Sequence, residues 1–169
     1  TEVVKRFREV ISIEELKEWY QKLLDEYHKW LSYQKKWKEE RNHSLQSLEF
    51  PFFYREGQRK MVSSVYHAIG ASRQIFIQAP TGVGKTMSTI FPAVRAVGEG
   101  KGETIFYLTA KTITRTVAQE AFEVLREKGM KYKVVTITAK EKLCFMDETK
   151  CDPVHCPYAR GHFDRVNDA

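Results

Sequence analysis

Residues 75–90 read IFIQAPTGVGKTMSTI, and the expected fold turns on how that stretch is taken. Ile75 to Gln78 is a β-branched, aromatic run, Gly82 and Gly84 punctuate a turn, and Lys85 opens a helix-like segment. Strand, glycine-rich turn and helix form the context a phosphate-binding loop requires. Gly82 and Gly84 let backbone N–H groups turn inward as an anion nest, and the helix start adds its positive dipole end. Ala79, Pro80, Thr81, Gly82, Val83, Gly84, Lys85 and Thr86 are therefore the expected triphosphate site. Lys85 would reach the β- and γ-phosphates of ATP, and the Thr86 hydroxyl would take one position on Mg2+. These two are the residues expected to serve catalysis. The common pattern begins with Gly, where this chain has Ala79.

Outward from the loop, helical and strand-like segments alternate. Gln58 to Ile69 reads as a helix closed by Gly70 at the C′ position. Lys85 to Val97 and Thr112 to Lys128 read as two more helices, the last capped by Gly129. The runs 75–78, 104–108 and 132–137 read as strands. This alternation predicts an α/β fold, a parallel sheet with flanking helices and right-handed crossovers. Upstream, Ser12 and Glu15 make a capping box at the start of a long helix over 12–47, roughly 54 Å in length. Leu16, Leu23, Trp30 and Trp37 recur every seven residues, with Tyr20 and Tyr27 four after the first two and Gln34 interrupting the stripe. Residues 12–47 hold seven basic and seven acidic residues. The aromatic stripe therefore reads as packing surface, since no net positive charge is there to hold phosphates.

The 169 residues suffice for one ordinary domain with a core. Lys and Arg number 28 against 22 Asp and Glu, a net +6 that permits a polyanionic partner without demanding one. No stretch approaches the roughly 18 apolar residues of a membrane span, and the first residues lack the apolar core of a signal peptide. A cytoplasmic protein without a membrane partner is the expectation, and both ends read as cuts within a longer chain.

A phosphate loop does not separate kinases, GTPases and motors. No Asn-Lys-x-Asp guanine reader is present. Leu143 to Glu148 imitates an acidic strand end for Mg2+, but its apolar run is short, abuts Lys140-Glu141-Lys142 and contains a cysteine. Cys144, Cys151 and Cys156 lie within thirteen residues. That odd, dense group favours metal or cluster ligation over a disulfide framework. Thiolate ligation of iron and a Cys₃His zinc site completed by His155 or His162 both remain open.

The A-x-x-G-x-G-K-T loop is typical of helicase-type motors, and three further segments resemble the XPD/DinG family of superfamily 2 DNA helicases. Phe52-Phe53-Tyr54-Arg55-Glu56-Gly57-Gln58 resembles that family's adenine-reading segment, implying that Gln58 contacts the base and that Tyr54 and Arg55 frame it. An amide suits this task because it donates and accepts at one base edge. Leu108-Thr109-Ala110-Lys111-Thr112 is similar to a nucleic-acid-contact motif, implying phosphate contacts from Thr109, Lys111, Thr112 and Arg115. Lys140 to Cys144, followed by Cys151-Asp152-Pro153-Val154-His155-Cys156-Pro157-Tyr158, is similar to the family's iron–sulfur insertion. The resemblance implies a 4Fe-4S cluster on Cys144, Cys151 and Cys156, with its fourth ligand beyond residue 169.

The resemblance covers roughly residues 50–160. It implies an ATP-dependent helicase moving 5′ to 3′ on single-stranded or forked DNA. Residues 1–11 would be the tail of a preceding region and 12–47 a connector helix. Residues 48–143 would be the first part of RecA-like motor domain 1, and 144–169 the start of the iron–sulfur insertion. A second motor domain, and possible upstream nuclease-like sequence, would be its partners within one polypeptide. The alternatives are a small P-loop kinase or ATPase with structural zinc, and a non-enzymatic interaction module built on the aromatic helix. Metal analysis after anaerobic purification separates the first two: a brown iron chromophore is expected for the helicase, and stoichiometric zinc for its rival.

Overall fold

The computed structural model describes residues 8–166. Their regular elements are helical: α1 (Ile13–Gln46), α2 (Gln58–Gly70), α3 (Lys85–Gly98), α4 (Thr112–Glu127), a 3-10 turn at Lys140–Lys142, and α5 (His162–Arg165). The chain divides into two compact units after Tyr132. The first contains α1 to α4, and the second the 3-10 turn, the cysteines and α5.

The expected α/β architecture is overturned. Among the described residues no strand forms, so the predicted parallel sheet with flanking helices, and with it the partial RecA-like domain, is absent. The runs 75–78, 104–108 and 132–137 link other segments without a hydrogen-bonded ladder. The physical reason is that β-branched and aromatic residues confer only a local preference, while a strand exists through bonds to a neighbour distant in sequence. Here several apolar side chains of those runs face outward: Phe76 is 93% exposed and Leu108 89%. Burial is supplied by helix–helix contact instead.

α3 is the hub of the first unit, since α1, α2 and α4 each pack against it. Its apolar residues are sealed along nearly their whole length, with Ile90, Phe91, Val94 and Val97 buried. α2 contributes Met61, Val62 and Val65, and α4 contributes Ala118, Ala121, Phe122 and Leu125. Phe50, after α1, meets Phe91 edge to face at 5.3 Å. Pro92 lies inside α3 and is fully buried.

Helix ends were legible locally, with one exception. Ser12 caps α1 as expected: the Glu15 N–H donates to Ser12 Oγ at 3.2 Å, and the Ser12 N–H donates to Glu15 Oε2 at 2.8 Å. The Ser12 N–H first, and then the Ser12 hydroxyl donating to Glu15 Oε2 at 2.9 Å, hold the Glu15 carboxyl below its ordinary range. Gly129, at φ 97°, closes α4, with Gly129 N–H on Arg126 O at 2.9 Å and Met130 N–H on Leu125 O at 3.0 Å. This is the paired C-terminal motif that favours glycine at C′. In α2 the expectation fails by two positions. Gly70 is the last helical residue, and Ser72 takes the left-handed C′ place at φ 51°. The same pair of bonds runs there from Ser72 N–H to Ile69 O and from Arg73 N–H to Ala68 O.

The C-terminal part of α1 joins it to the unit. Leu45 and Leu48 are buried, the Gln46 side-chain amide donates to Gly98 O at 2.7 Å, and Arg95 donates to Gln46 O and to Leu48 O. The Lys131 N–H reaches Ser44 Oγ at 3.0 Å. Lys38–Glu103 and Lys131–Glu40 add exposed ion pairs. Burying Leu45 and Leu48 contributes roughly 1.5–3 kcal/mol each, against about 0–1 kcal/mol for an exposed pair, so packing dominates this joint. The closest approach is at Gly98, where an added Cβ would stand 2.6 Å from Leu45 Cβ and 3.1 Å from Gln46 N. Gly98→Ala should gain up to about 1 kcal/mol of helix propensity but lose about 1–3 kcal/mol to overpacking. Thermal unfolding is expected to show net destabilisation, and an unchanged or raised midpoint would contradict this account of the joint.

Candidate nucleotide-binding site

The loop from Ala79 to Gly84 leads into α3. Gly82 (φ 83°) and Gly84 (φ 73°) both take the left-handed conformation, and Gly84 is the N-cap of α3 with no side-chain cap bond. The first N–H groups of the helix therefore have no side-chain acceptor from the cap, the arrangement that suits an anion. Lys85 folds its ammonium back over the loop, donating to Ala79 O at 2.9 Å and Pro80 O at 2.7 Å. An ammonium has three donors, so one remains for a phosphate oxygen. Thr86 is half-buried on the first turn, and Thr81 and Val83 lie on the loop between the fixed points.

Two residues from upstream brace this loop. Arg55 donates through its guanidinium to Gly82 O. Gln58, 4% exposed, lies against Gly84: a Cβ there would come within 2.6 Å of Gln58 Nε2. Gln58 Oε1 accepts from the Arg55 N–H at 3.0 Å, and the Gln58 N–H donates to Arg55 O at 3.0 Å. Segment 55–58 is thus a closed turn held to both loop glycines, and Gly57 at φ 72° lets it run directly into α2.

Sequence reasoning did not single out Ser88. It is fully buried and its hydroxyl donates to Gly84 O at 2.9 Å, fixing the junction of loop and helix. A serine four residues after the last loop glycine, on an otherwise apolar face, was the available signal. Tyr54 falls elsewhere, stacked on Phe50 at 4.3 Å and lining a cleft of about 300 Å³ with Arg59, Tyr66 and Arg95. A second cleft of about 380 Å³ borders the start of the loop, lined by Gly57, Lys60, Met61, Ser64, Ile77 and Pro80 among others.

The expected nucleic-acid residues gather at the start of α4. Lys111 is its N-cap, exposed, and Lys111 O accepts from Thr114 Oγ1 at 2.7 Å. Thr109 is exposed just before it, Thr112 is the first helical residue, and Arg115 is half-buried one turn on.

In the second unit, Cys144 is half-buried, Cys151 exposed and Cys156 buried. Among the described residues no three His, Cys, Asp or Glu side chains come together as a group able to hold a metal. The thiols in this arrangement do not fit a 4Fe-4S cluster or a tetrahedral zinc ion. Of the histidines considered for zinc, His155 has its Nδ1 2.8 Å from both Asp152 carboxylate oxygens. The Asp152 carboxyl is held below its usual range, first by the His155 backbone N–H and then by the ring. Lys140 pairs with a thiol: its hydrogen bond to Cys151 raises the ammonium above its ordinary value, and Cys144 adds a smaller effect.

A glycine-rich loop opening a helix, with a lysine across it and a glutamine segment behind it, keeps the turn and the helix of the phosphate-loop context, while the strand expected before it does not form. The chain belongs to the DEAD/DEAH box helicase family, which matches residues 55–154. It is similar to a protein of Methanocaldococcus jannaschii named a probable ATP-dependent helicase, with 29% identity over 112 residues, 64% of this chain. The match takes up 16% of that relative's length. No solved structure matches. Among the described residues no helix is long and apolar enough to cross a membrane.

The bracing of the loop is testable. Gly84→Ala should destabilise by about 1–2 kcal/mol from its left-handed backbone, with a further loss from collision with the Gln58 amide. In a double-mutant cycle read by chemical denaturation, Gln58→Ala is expected to recover the collision part and not the backbone part. Strict additivity would mean that Gln58 and Gly84 are not in contact.

Proposed function

We propose that this chain supplies the ATP-binding half-site of a nucleic-acid helicase. The observation that carries the reading is the join between segment 55–58 and the loop at Gly82 and Gly84. In a helicase-family chain it links a base-facing segment to a phosphate-facing one. ATP would set its β- and γ-phosphates against the N–H groups of 84–87 and the third donor of Lys85, with Mg2+ on Thr86. Gln58 would read adenine after exchanging its bond to the Arg55 N–H for the base edge. Thr109, Lys111, Thr112 and Arg115 would hold phosphates of single-stranded or forked DNA at the start of α4.

Hydrolysis needs an acidic pair on Mg2+ and cationic groups on the departing phosphate. Asp25-Glu26, within α1, and Asp147-Glu148, beside Cys144, are the two Asp-Glu runs in the sequence, and neither follows an apolar strand-like run long enough to serve as that acidic strand end. These 169 residues are therefore proposed to bind ATP weakly without turning it over, the remaining groups coming from sequence such as a second motor domain. The narrower XPD/DinG assignment, with its 5′ to 3′ direction, is supported by the motif resemblance and the cysteine spacing alone. The arrangement of the thiols does not support its iron–sulfur cluster, and the proposed activity does not pass through one.

Paired substitutions separate the two binding surfaces. Lys85→Ala is expected to weaken ATP binding at least about tenfold, the loss of one charge-assisted contact, while leaving single-stranded DNA binding intact. Lys111→Ala should do the reverse and reduce the salt dependence of DNA binding by about one unit of slope. Calorimetry and fluorescence anisotropy read the two effects. ATP binding indifferent to Lys85→Ala would sink the assignment.

A further inference from the structure

The N-terminal two-thirds of α1 carries an apolar seam that stays about half exposed among the described residues. Counting Ile13 as the first core position of a heptad, the a and d places are Ile13, Leu16, Tyr20, Leu23, Tyr27 and Trp30. They end at Gln34 and Trp37, which are half-buried. Tyr20, Leu23, Tyr27 and Trp30 are each 50–55% exposed, and Trp19, Leu24, Leu31 and Tyr33 widen the stripe on its flanks. Tyr27 and Trp30 stack on each other at 5.9 Å, so the two places share one face. A soluble helix presenting so much contiguous apolar surface marks an association site.

We propose that the occupant is a second copy of this chain, its α1 running antiparallel to the first. Three observations favour a copy over an unrelated partner. The first is register. Aligning the helices so that paired residue numbers sum to 43 sets Ile13 against Trp30, Leu16 against Tyr27, and Tyr20 against Leu23. Each layer then joins one aromatic to one aliphatic side chain, and the pattern repeats about the two-fold axis, as an isologous interface demands. A parallel in-register pair would instead stack Tyr on Tyr and Trp on Trp.

The second is charge. With the helices antiparallel, flanking positions place Lys17 beside Leu24 and Trp19 beside Glu26, so no like charges oppose across the seam, and the helix dipoles run head to tail. The basic excess of the first unit lies outside α1, with 12 basic and 7 acidic residues over 48–132, a net +5. The antiparallel arrangement holds these two basic bodies at opposite ends. The overlap also ends at Gln34 and Trp37, where the seam becomes half-buried. The third is area. Five aromatic side chains about half exposed offer on the order of 100 Å² each. With the leucines and Ile13 the seam approaches the roughly 800 Å² per partner of a stable interface.

Sedimentation equilibrium of the 169-residue chain at about 100 μM is expected to give twice the chain mass. Leu23→Glu changes an exposed side chain at the central layer, so the fold should be retained, checked by an unchanged circular dichroism spectrum. It should raise the dimer dissociation constant at least about a hundredfold. A monomer at that concentration, or a dimer indifferent to Leu23→Glu, would overturn the proposal. Direction is read by spin labels at Glu39→Cys, with Cys144, Cys151 and Cys156 changed to Ser. A separation of about 50 Å is expected for the antiparallel pair. One of about 10–20 Å would denote a parallel pair and overturn the assigned direction.

Discussion

The close approach of α3 to the end of α1 is the constraint on which the first unit depends. Only a residue without a side chain at position 98 lets Leu45 sink to full burial against α3. Arg95 then takes up the carbonyls of Gln46 and Leu48 that the end of α1 leaves unpaired. Because α2 and α4 pack on the same helix, fixing α3 at one end fixes what every other helix packs against. The other end of α3 opens from Gly84, so the phosphate loop is carried on the most buried element of the unit.

The loop is also held from behind. Glycines at 82 and 84 give the backbone its left-handed turns, and left alone such a stretch would lose its shape readily. Arg55 on the Gly82 carbonyl and Gln58 against Gly84 remove that freedom from one side. Ser88 on the Gly84 carbonyl removes it from the other. Each contact spends a polar group on positioning, which is the way a binding loop becomes preorganised.

What could be read from the sequence was what is decided within a turn or two of chain. Ser12 with Glu15, the glycine after α4, and the start of α3 at Lys85 all act through bonds between near neighbours, and each forms as expected. Ser72 shows the limit even there: with glycine at 70, the chain still extended the helix and gave the left-handed place to serine. The runs at 75–78, 104–108 and 132–137 were misread because pairing is non-local, and their composition says nothing about whether a partner strand arrives. The cysteines were misread for a similar reason. Close spacing places thiols near one another along the chain, yet ligation needs convergence in space, and the described residues do not supply it. The position of Gln58 was legible, whereas its burial against Gly84 depended on where the loop would lie.

Pro92 gives α3 an uneven stiffness. Lacking an N–H, it cannot close the rung to the Ser88 carbonyl, and its ring crowds that turn. The missing rung falls between the loop-bearing turns and those locked to α1, so the helix resembles a lever with a compliant midpoint. A torque applied at the phosphate end meets least resistance there.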